Sequence, residues 1–207
     1  MGNWEHLYDT VEKGWMLDNT ELIRVSRNLL GTTLKGFVNN DGREIIPCKY
    51  LRHKYYFQDD LLEVTNIDNK IGFVNKNGVE VVKCEYDKVS EIQDGLVCVS
   101  QNKKEWNSRY GLELDKENWG LIKTNGQIVI SCKYRFLGFL GHNRLIAQRH
   151  DSSRVGAIDY EGNIVIPFEY YQLGKVNSDN KIEYSKGEGL EHGFMDINGN
   201  VVQILPF

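Results

Sequence analysis

A sixteen-residue pattern recurs five times along this chain, and the repetition constrains the fold more than any other feature. The segments are KGFVNNDGREIIPCKY at 35–50, IGFVNKNGVEVVKCEY at 71–86, WGLIKTNGQIVISCKY at 119–134, VGAIDYEGNIVIPFEY at 155–170 and HGFMDINGNVVQILPF at 192–207. Each segment has two glycines six residues apart and an aromatic residue eight residues after the second glycine. Self-similarity at a fixed period indicates a repeat architecture.

The period of the repeat is about 36 residues, with one interruption. The second glycines stand at 42, 78, 126, 162 and 199, so the spacings are 36, 48, 36 and 37 residues. The long spacing places an insertion of about a dozen residues within 101–118, QNKKEWNSRYGLELDKEN. Apolar-rich stretches precede the five units, in order LIRV at 22–25, LLEV at 61–64, LVCV at 96–99, LIAQ at 145–148 and IEYS at 182–185. We therefore expect a single β domain over residues 1–207.

Each unit reads as a β-hairpin followed by a half-buried strand. The second glycine lies between two β-prone runs, where a tight turn needs a residue in the left-handed region. After the turn in 119–134, Ile130, Cys132 and Tyr134 alternate with Ser131 and Lys133. Alternation with period two and one charged face is typical of a half-buried strand. Each period thus predicts two or three strands, with room for a short fourth.

The two ends of the chain bear on how the repeats are arranged. The piece YDTV at 8–11 matches the segments that follow each unit's aromatic residue, and Phe207 falls in the aromatic column. Pairing of strands from both ends would close a ring and hide the sheet edges. We predict an all-β fold of five repeats, a five-bladed β-propeller closed by pairing of N- and C-terminal strands; the alternative is an open β-repeat stack. Trp4, Leu7, Tyr8 and Val11 also fit one helix face, so residues 3–12 form either a strand or a short helix.

The units resemble the WG-containing repeat, also called the KWG repeat, of bacterial proteins. That motif runs Trp-Gly, two apolar residues, Asp or Asn, a later Gly, a β-branched run and Tyr, and the resemblance covers about residues 8–207. The resemblance implies a propeller-like fold and carries no set of catalytic residues. The tryptophan survives only at Trp119, where the other units have Lys35, Ile71, Val155 and His192. We interpret Trp119 as local packing.

The charge balance and apolar pattern limit the classes of partner. The chain has 25 basic and 29 acidic residues, a net charge of −4, which argues against a general nucleic-acid binder. No apolar run approaches the ~20 residues of a membrane span. The N-terminus lacks the pattern of a secretory signal. We expect a cytoplasmic monomer that binds neither nucleic acid nor membrane, with its four cysteines reduced.

Three of the cysteines share one repeat column. The column contains Cys48, Cys84, Cys132, Phe168 and Leu205. A position that accepts Cys, Phe and Leu calls for an apolar side chain, so these thiols are expected in the core. Cys98 aligns with Glu63 and Ala147, which suggests a more open position, and it is the thiol expected to react first. No CxxC pair is present, so we expect no zinc.

No catalytic constellation stands out in the sequence. His150-Asp151-Ser152-Ser153 has hydrolase residue types but falls where a turn is expected, so we interpret it as a solvated turn. The column that opens each hairpin turn contains Asn39, Asn75, Lys123, Asp159 and Asp196. Asp and Asn at such positions bind nearby backbone amides. We therefore expect no catalytic residue, no metal and no cofactor.

Departures from the repeat are the candidate binding residues, because loops on a rigid scaffold carry recognition. The insertion brings Glu105, Trp106, Arg109 and Tyr110 into one predicted loop, and Trp, Tyr and Arg dominate binding hot spots. A second departure, LRHKYYFQ at 51–58, includes Tyr55 and Tyr56. Packing between repeats is the favoured interpretation of these two tyrosines, and binding is the alternative.

These features lead to a non-enzymatic binding scaffold for a protein partner or a small ligand. One alternative is a carbohydrate-binding, lectin-like protein or a glycosidase. Another is a protein that sequesters a small anionic molecule in bacterial or phage conflict. A lectin with five equal sites would repeat its polar and aromatic residues, whereas this chain repeats its apolar columns better, which favours a single site.

Overall fold

The computed structural model describes residues 4–16, 21–187 and 191–206. In these ranges the chain forms one turn of 3₁₀ helix, Glu5–Leu7, and twenty strands. The first two sheets contain β1 Thr10–Met16, β2 Ile23–Leu29, β3 Thr32–Val38 and β4 Glu44–Tyr50, then β5 Arg52–His53, β6 Leu61–Thr65, β7 Ile71–Asn75 and β8 Glu80–Tyr86. The third contains β9 Lys88–Val89, β10 Leu96–Asn107, β11 Leu112–Lys123 and β12 Ile128–Tyr134. The last two contain β13 Phe136–Gly141, β14 Arg144–Gln148, β15 Val155–Asp159 and β16 Ile164–Tyr170, then β17 Gln172–Leu173, β18 Lys181–Lys186, β19 Glu191–Asp196 and β20 Val201–Ile204.

The all-β prediction is confirmed, with one four-stranded antiparallel sheet for each repeat. The fourth strand of each sheet is the alternating run that ends at the repeat's aromatic residue. The short piece after that aromatic is the first strand of the next sheet, as β5 and β17 show. At the N-terminus both readings hold in part, because the 3₁₀ turn is followed by a strand from Thr10. No helix in the described ranges is long and apolar enough to cross a bilayer.

The predicted pairing of strands from the two ends is not confirmed. Every sheet consists of four strands that are consecutive in sequence, and none of those in the described ranges combines both ends. The reason is the phase of the repeat: β1 is already the first strand of its own sheet, and the fifth sheet has its own first strand in β17. Phe207 lies outside the described residues.

The chain divides into two compact units, residues 1–95 with 124–126, and residues 96–123 with 127–207. The single domain expected from the repeat stays a prediction. In the first unit, Phe37 and Ile46 of the first sheet pack against Leu62, Val64 and Val74 of the second.

The second unit repeats this arrangement twice. Leu121 and Ile130 of the third sheet pack against Leu145 and Ile158 of the fourth. Ile166 of the fourth sheet in turn packs against residues of the fifth, namely Ile182, Tyr184 and Met195. Within each unit, the third and fourth strands of a sheet therefore bury the second and third strands of the next.

The column of Asn and Asp residues has the predicted role in the turns. Asn75 Oδ1 accepts hydrogen bonds from the backbone N–H groups of Asn77 and Val79, each at 3.0 Å. Gly78 follows with φ of +77°, the left-handed conformation that glycine adopts without a Cβ clash. Asp196 accepts from Asn198 and Asn200 in the same way, and the bonds from Asn200 lower the pKa of its carboxyl.

The first glycine of each repeat is required by close backbone packing. A Cβ on Gly120 would lie 2.4 Å from the carbonyl oxygen of Ile130, because the fourth strand bulges towards the third at this point. The equivalent distances at Gly36, Gly72, Gly156 and Gly193 range from 2.1 to 2.6 Å. The glycine of the Trp-Gly pair is therefore conserved between the repeats of this chain for packing, independently of the residue before it.

Candidate functional site

The third sheet contains a hairpin that extends far beyond the sheet itself. β10 and β11 pair without interruption from Leu96↔Lys123 to Asn107↔Leu112, whereas β12 contacts β11 only between Trp119 and Ile122. Seven residue pairs, Gln101↔Asn118 through Asn107↔Leu112, therefore form a two-stranded extension. At 3.3 Å per residue it is about 23 Å long. We call residues 101–118 the extended hairpin.

The prediction that 101–118 form a loop is wrong. The run LELD at 112–115 alternates apolar and charged residues, which is a strand pattern that the sequence reading overlooked. The reversal occurs at 108–111: Asn107 O accepts from the N–H groups of Tyr110 and Gly111, at 3.2 and 2.9 Å. Asn107 Oδ1 also accepts from Arg109 N at 3.0 Å, and Gly111 adopts φ of +64°. The side chain of Asn107 thus stabilises a tight turn at the tip.

The pairing register divides the side chains of the extended hairpin between two faces, because directly opposed residues lie on the same side. The tryptophan face carries Asn102, Lys104, Trp106, Glu113, Asp115 and Glu117. The leucine face carries Lys103, Glu105, Asn107, Leu112, Leu114 and Lys116. The predicted residues Glu105 and Trp106 therefore lie on opposite faces.

Large apolar and aromatic side chains of the extended hairpin are exposed. Trp106 is 67% exposed and Tyr110 at the tip 62%, and Arg109 lies with its guanidinium 5.8 Å from the centre of the Tyr110 ring. Leu112 and Leu114 are 46% and 40% exposed, and the sequence reading had not singled them out. Exposed aromatic and leucine side chains on one projecting element are typical of a binding surface.

The extended hairpin is anchored at its root. Asn118 is buried, and its Oδ1 lies 3.0 Å from Nε2 of His150. Burial, and then the nearby ammonium of Lys116, lower the pKa of His150, so the neutral imidazole is favoured there. Trp119 packs edge-on against Phe136 at 6.4 Å between ring centres, in agreement with the packing interpretation of this residue. The root is thereby fixed to the fourth sheet.

His150 anchors the root of the extended hairpin through Asn118. Residues 150–151 form the predicted turn between β14 and β15, and Ser152 Oγ accepts from Arg154 N at 2.9 Å. The imidazole is therefore occupied by Asn118, and the serine by its own turn.

Tyr55 and Tyr56 belong to the first unit, in the segment between β5 and β6. The favoured interpretation, packing between repeats, is wrong: they are 65% and 45% exposed. Tyr55 contacts the His53 ring edge-on at 6.3 Å, and the Lys54 ammonium lies 6.0 Å from the Tyr56 ring centre.

The cysteines depart from prediction in two respects: Cys98 is buried, and the cysteines of the repeat column, predicted in the core, are only half-buried. Cys98 is completely buried in the core that includes Leu121 and Ile130, so the prediction that it is the open, reactive thiol is wrong. The register shows that Cys98 is equivalent to Ile146, one residue before the Ala147 that the sequence alignment gave.

The cysteines of the repeat column, Cys48, Cys84 and Cys132, are half-buried. Burial, followed by a neighbouring glutamate, raises the pKa of Cys48 and of Cys84 to about 11. No group of three or more metal-ligating side chains occurs in the described part of the chain.

The fifth sheet contains a cavity that the sequence reading missed. It measures about 260 Å³ and is lined by Gln172, Gly174, Glu183, Tyr184, Ser185 and His192. Gln203 on this sheet pairs with Phe194 and is exposed, whereas its equivalents Ile46, Val82, Ile130 and Ile166 are at most 5% exposed. Gln203 thus marks a different surface on the fourth strand of this sheet, but it does not line the cavity.

Comparisons with known proteins identify the repeat. The family model described as WG containing repeat matches residues 36–51, 71–104, 119–148 and 156–188. No curated protein sequence gives a significant match.

Three solved structures with a similar chain path share little sequence. The computationally designed Ika8 protein has TM-score 0.41 and 12% identity over 91% of this chain and 58% of its own. The WD40 β-propeller domain of Doa1 has TM-score 0.35 and 14% identity over 90% and 65%. BamB from Moraxella catarrhalis has TM-score 0.36 and 10% identity over 96% and 77%. The chain thus spans less than two thirds of the first two, and no ligand, partner or reaction carries over from these proteins.

Proposed function

The chain belongs to the WG containing repeat family, and from this premise we propose that it is a non-enzymatic scaffold that binds a protein partner through its extended hairpin. The five sheets are built from repeated apolar packing. Their cysteines, His150 and the Asn and Asp residues of the turns have structural roles. The extended hairpin is the longest departure from the repeat.

The observation that carries the proposal is the exposure of Trp106, Tyr110, Leu112 and Leu114 on a two-stranded projection. A two-stranded hairpin is marginally stable by itself in water. Exposed aromatic side chains are the usual hot spots of protein interfaces. Because these side chains spread over both faces and the tip, they suit the broad surface of a protein better than a compact small molecule.

A loop exchange tests this function. In the second sheet, the equivalent connection, Asn66–Lys70, is only five residues long. It follows the pair Thr65↔Ile71, which is equivalent to the pair Ser100↔Trp119 in the third sheet. Replacing residues 101–118 by Asn-Ile-Asp-Asn-Lys removes the extended hairpin and keeps the rest of the third sheet. We expect the exchanged protein to fold with a free energy of unfolding within about 1 kcal/mol of the parent.

The partner is identified by affinity purification of the parent and the exchanged protein from native cells, with quantitative mass spectrometry. We expect at least one protein to be recovered with the parent and lost with the exchanged protein. A partner recovered equally with both would contradict the proposal, provided that the two proteins melt at similar temperatures.

A small polar ligand is the second candidate, supported by the cavity of the fifth sheet. Glu183, Ser185 and His192 offer a carboxylate, a hydroxyl and an imidazole around one space of about 260 Å³. This site would also serve the carbohydrate-binding alternative. Native mass spectrometry of protein purified from native cells tests it: a retained small molecule, lost in Glu183→Gln with His192→Asn, would favour this function over the first.

We also propose that the five sheets are the blades of a five-bladed β-propeller in a cytoplasmic protein. Five sheets of equal strand number and the same packing rule within each unit support a ring, with an open stack as the alternative. Small-angle X-ray scattering distinguishes the two, since an open stack has the larger radius of gyration. Cell fractionation tests the compartment.

A further inference from the structure

We propose that the tryptophan face of the extended hairpin docks an extended, lysine- or arginine-rich segment of the protein partner. This inference rests on the proposed function and specifies the chemistry of the partner. It follows from an asymmetry between the two faces of the extended hairpin.

The carboxylate of the leucine face, Glu105, is paired within the protein. Lys116 Nζ donates to both carboxylate oxygens of Glu105, at 2.9 and 2.8 Å. Two carboxylates of the tryptophan face are not paired in this way. Glu113 and Asp115 are exposed, and neither forms an ion pair with any residue in the described ranges. They lie two residues apart on one strand, opposite Trp106 and Lys104. The part of the tryptophan face around Trp106 therefore carries two exposed carboxylates that are open to a partner.

Trp106 lies within this acidic face. The register places it directly opposite Glu113, and its neighbour on the same side, Lys104, is opposite Asp115. With 67% of its surface exposed, the indole leaves a large ring area in solvent. The face of an indole is the strongest aromatic attractor of ammonium and guanidinium groups, and nearby carboxylates add to the attraction. The combination fits cationic side chains.

The spacing of the carboxylates indicates the shape of the occupant. Glu113 and Asp115 are two residues apart on one strand, so their side chains lie about 7 Å apart on the same face. An extended peptide with a basic residue at every second position has the same spacing. Such a segment can place successive cations on successive carboxylates and one cation over Trp106.

Other occupants fit less well. A second copy of this chain would bring the same excess of carboxylates against itself, and like charges destabilise contacts. Anionic lipid surfaces and nucleic acids are repelled for the same reason. A purely apolar partner would cover Glu113 and Asp115 without pairing them, and a buried charge without a partner destabilises the contact. Charge complementarity thus selects a basic segment.

The test uses a fluorescently labelled peptide of alternating lysine and threonine, and a matched peptide of alternating glutamate and threonine, in anisotropy titrations with the full chain. We expect the lysine peptide to bind the parent and the glutamate peptide not to bind. Glu113→Gln with Asp115→Asn is expected to weaken lysine-peptide binding about threefold to tenfold, and Trp106→Ala by about fivefold. Raising the salt concentration is expected to weaken binding to the parent more than to the double variant.

The matched control is Glu161→Gln with Asp179→Asn, which removes the same charge from exposed turns of the fourth and fifth sheets. We expect this control to bind the lysine peptide as the parent does. Failure of the parent to bind the lysine peptide, or equal weakening in the control, would overturn the inference. If the lysine peptide does not bind but the loop exchange still abolishes recovery of the native partner, the inference fails and the proposed function stands. If the loop exchange has no effect on recovery, the proposed function itself fails.

Discussion

The second and third sheets connect their two inner strands in very different ways from equivalent positions. In the second sheet, Asn66 Oδ1 accepts from the N–H groups of Asp68 and Lys70, at 3.0 and 2.9 Å, and closes a five-residue loop on itself. In the third sheet the same positions lead into the extended hairpin. The inner register is nevertheless shared, since Val97↔Ile122 matches Leu62↔Val74. The comparison teaches that the repeat specifies the sheet, and that the connection is free to acquire a function.

The largest expected effect is on the free energy of unfolding. It tests whether the second and third sheets are packed in the same way although their connections differ. Gly72→Ala and Gly120→Ala each place a Cβ about 2.5 Å from a backbone carbonyl, at 2.5 and 2.4 Å. Because backbone cannot yield easily, we expect each variant to lose about 2–4 kcal/mol of unfolding free energy. Urea denaturation measures both. A neutral Gly120→Ala beside a destabilised Gly72→Ala would show that the extended hairpin loosens its own sheet.

A smaller effect separates a turn of the scaffold from the tip of the extended hairpin. Asn75 caps a scaffold turn through two hydrogen bonds of 3.0 Å, and Asn107 caps the tip through one bond from Arg109 N, also of 3.0 Å. We expect Asn75→Ala to cost about 1 kcal/mol and Asn107→Ala less than about 0.5 kcal/mol, since the tip frays without unfolding the sheet. Thermal unfolding of both variants checks this order, and equal losses would contradict it.

Acid pH is expected to lower the stability of the second sheet through His53 and of the root of the extended hairpin through His150. Burial lowers the pKa of His53, whose ring packs on Phe37 at 4.8 Å, and of His150 at the hairpin root. A lowered pKa means that the unfolded chain binds protons more readily, so this stability is present above about pH 6.5 and is lost as pH falls towards the folded values. We expect His53→Phe to flatten the fall in melting temperature between about pH 7 and 5.5. An unchanged slope would argue against His53 as a cause.

The smallest effect concerns the thiols. With a pKa of about 11, Cys48 and Cys84 have about one thiolate in a thousand at pH 8. We expect slow labelling of these two residues in the native protein, and slower labelling still of Cys98, which is completely buried. Mass spectrometry after timed alkylation measures the order. Rapid labelling of Cys98 would mean that the core between the third and fourth sheets opens.

The same comparison explains how much the sequence could predict. The turn at Asn75 and Gly78 and the strand that contains Ile130 and Tyr134 could be predicted, because five copies of the repeat show which side chains each position accepts. The connection at 101–118 has no second copy, so the strand pattern of 112–115 was missed. The connection between β14 and β15 is one residue longer than that between β6 and β7, so alignment by length matched Cys98 with Ala147 instead of Ile146. The match with Glu63 is correct, and the burial of Cys98 could not be predicted from a column that accepts both Cys and Glu. Pairing of the two ends is not confirmed among the described residues, and the sequence does not mark where a sheet begins in the repeat.

Site-specific photo-crosslinking tests the central claim most directly. A benzophenone amino acid is placed at position 106 of the extended hairpin or, as the matched control, at position 67 of the short loop, where Ile67 is 57% exposed. After irradiation in native cells, we predict a discrete covalent adduct with a partner protein from position 106 and none from position 67. Equal adducts from both positions, or none from position 106, would contradict the account that the repeat builds the scaffold and the extended hairpin binds.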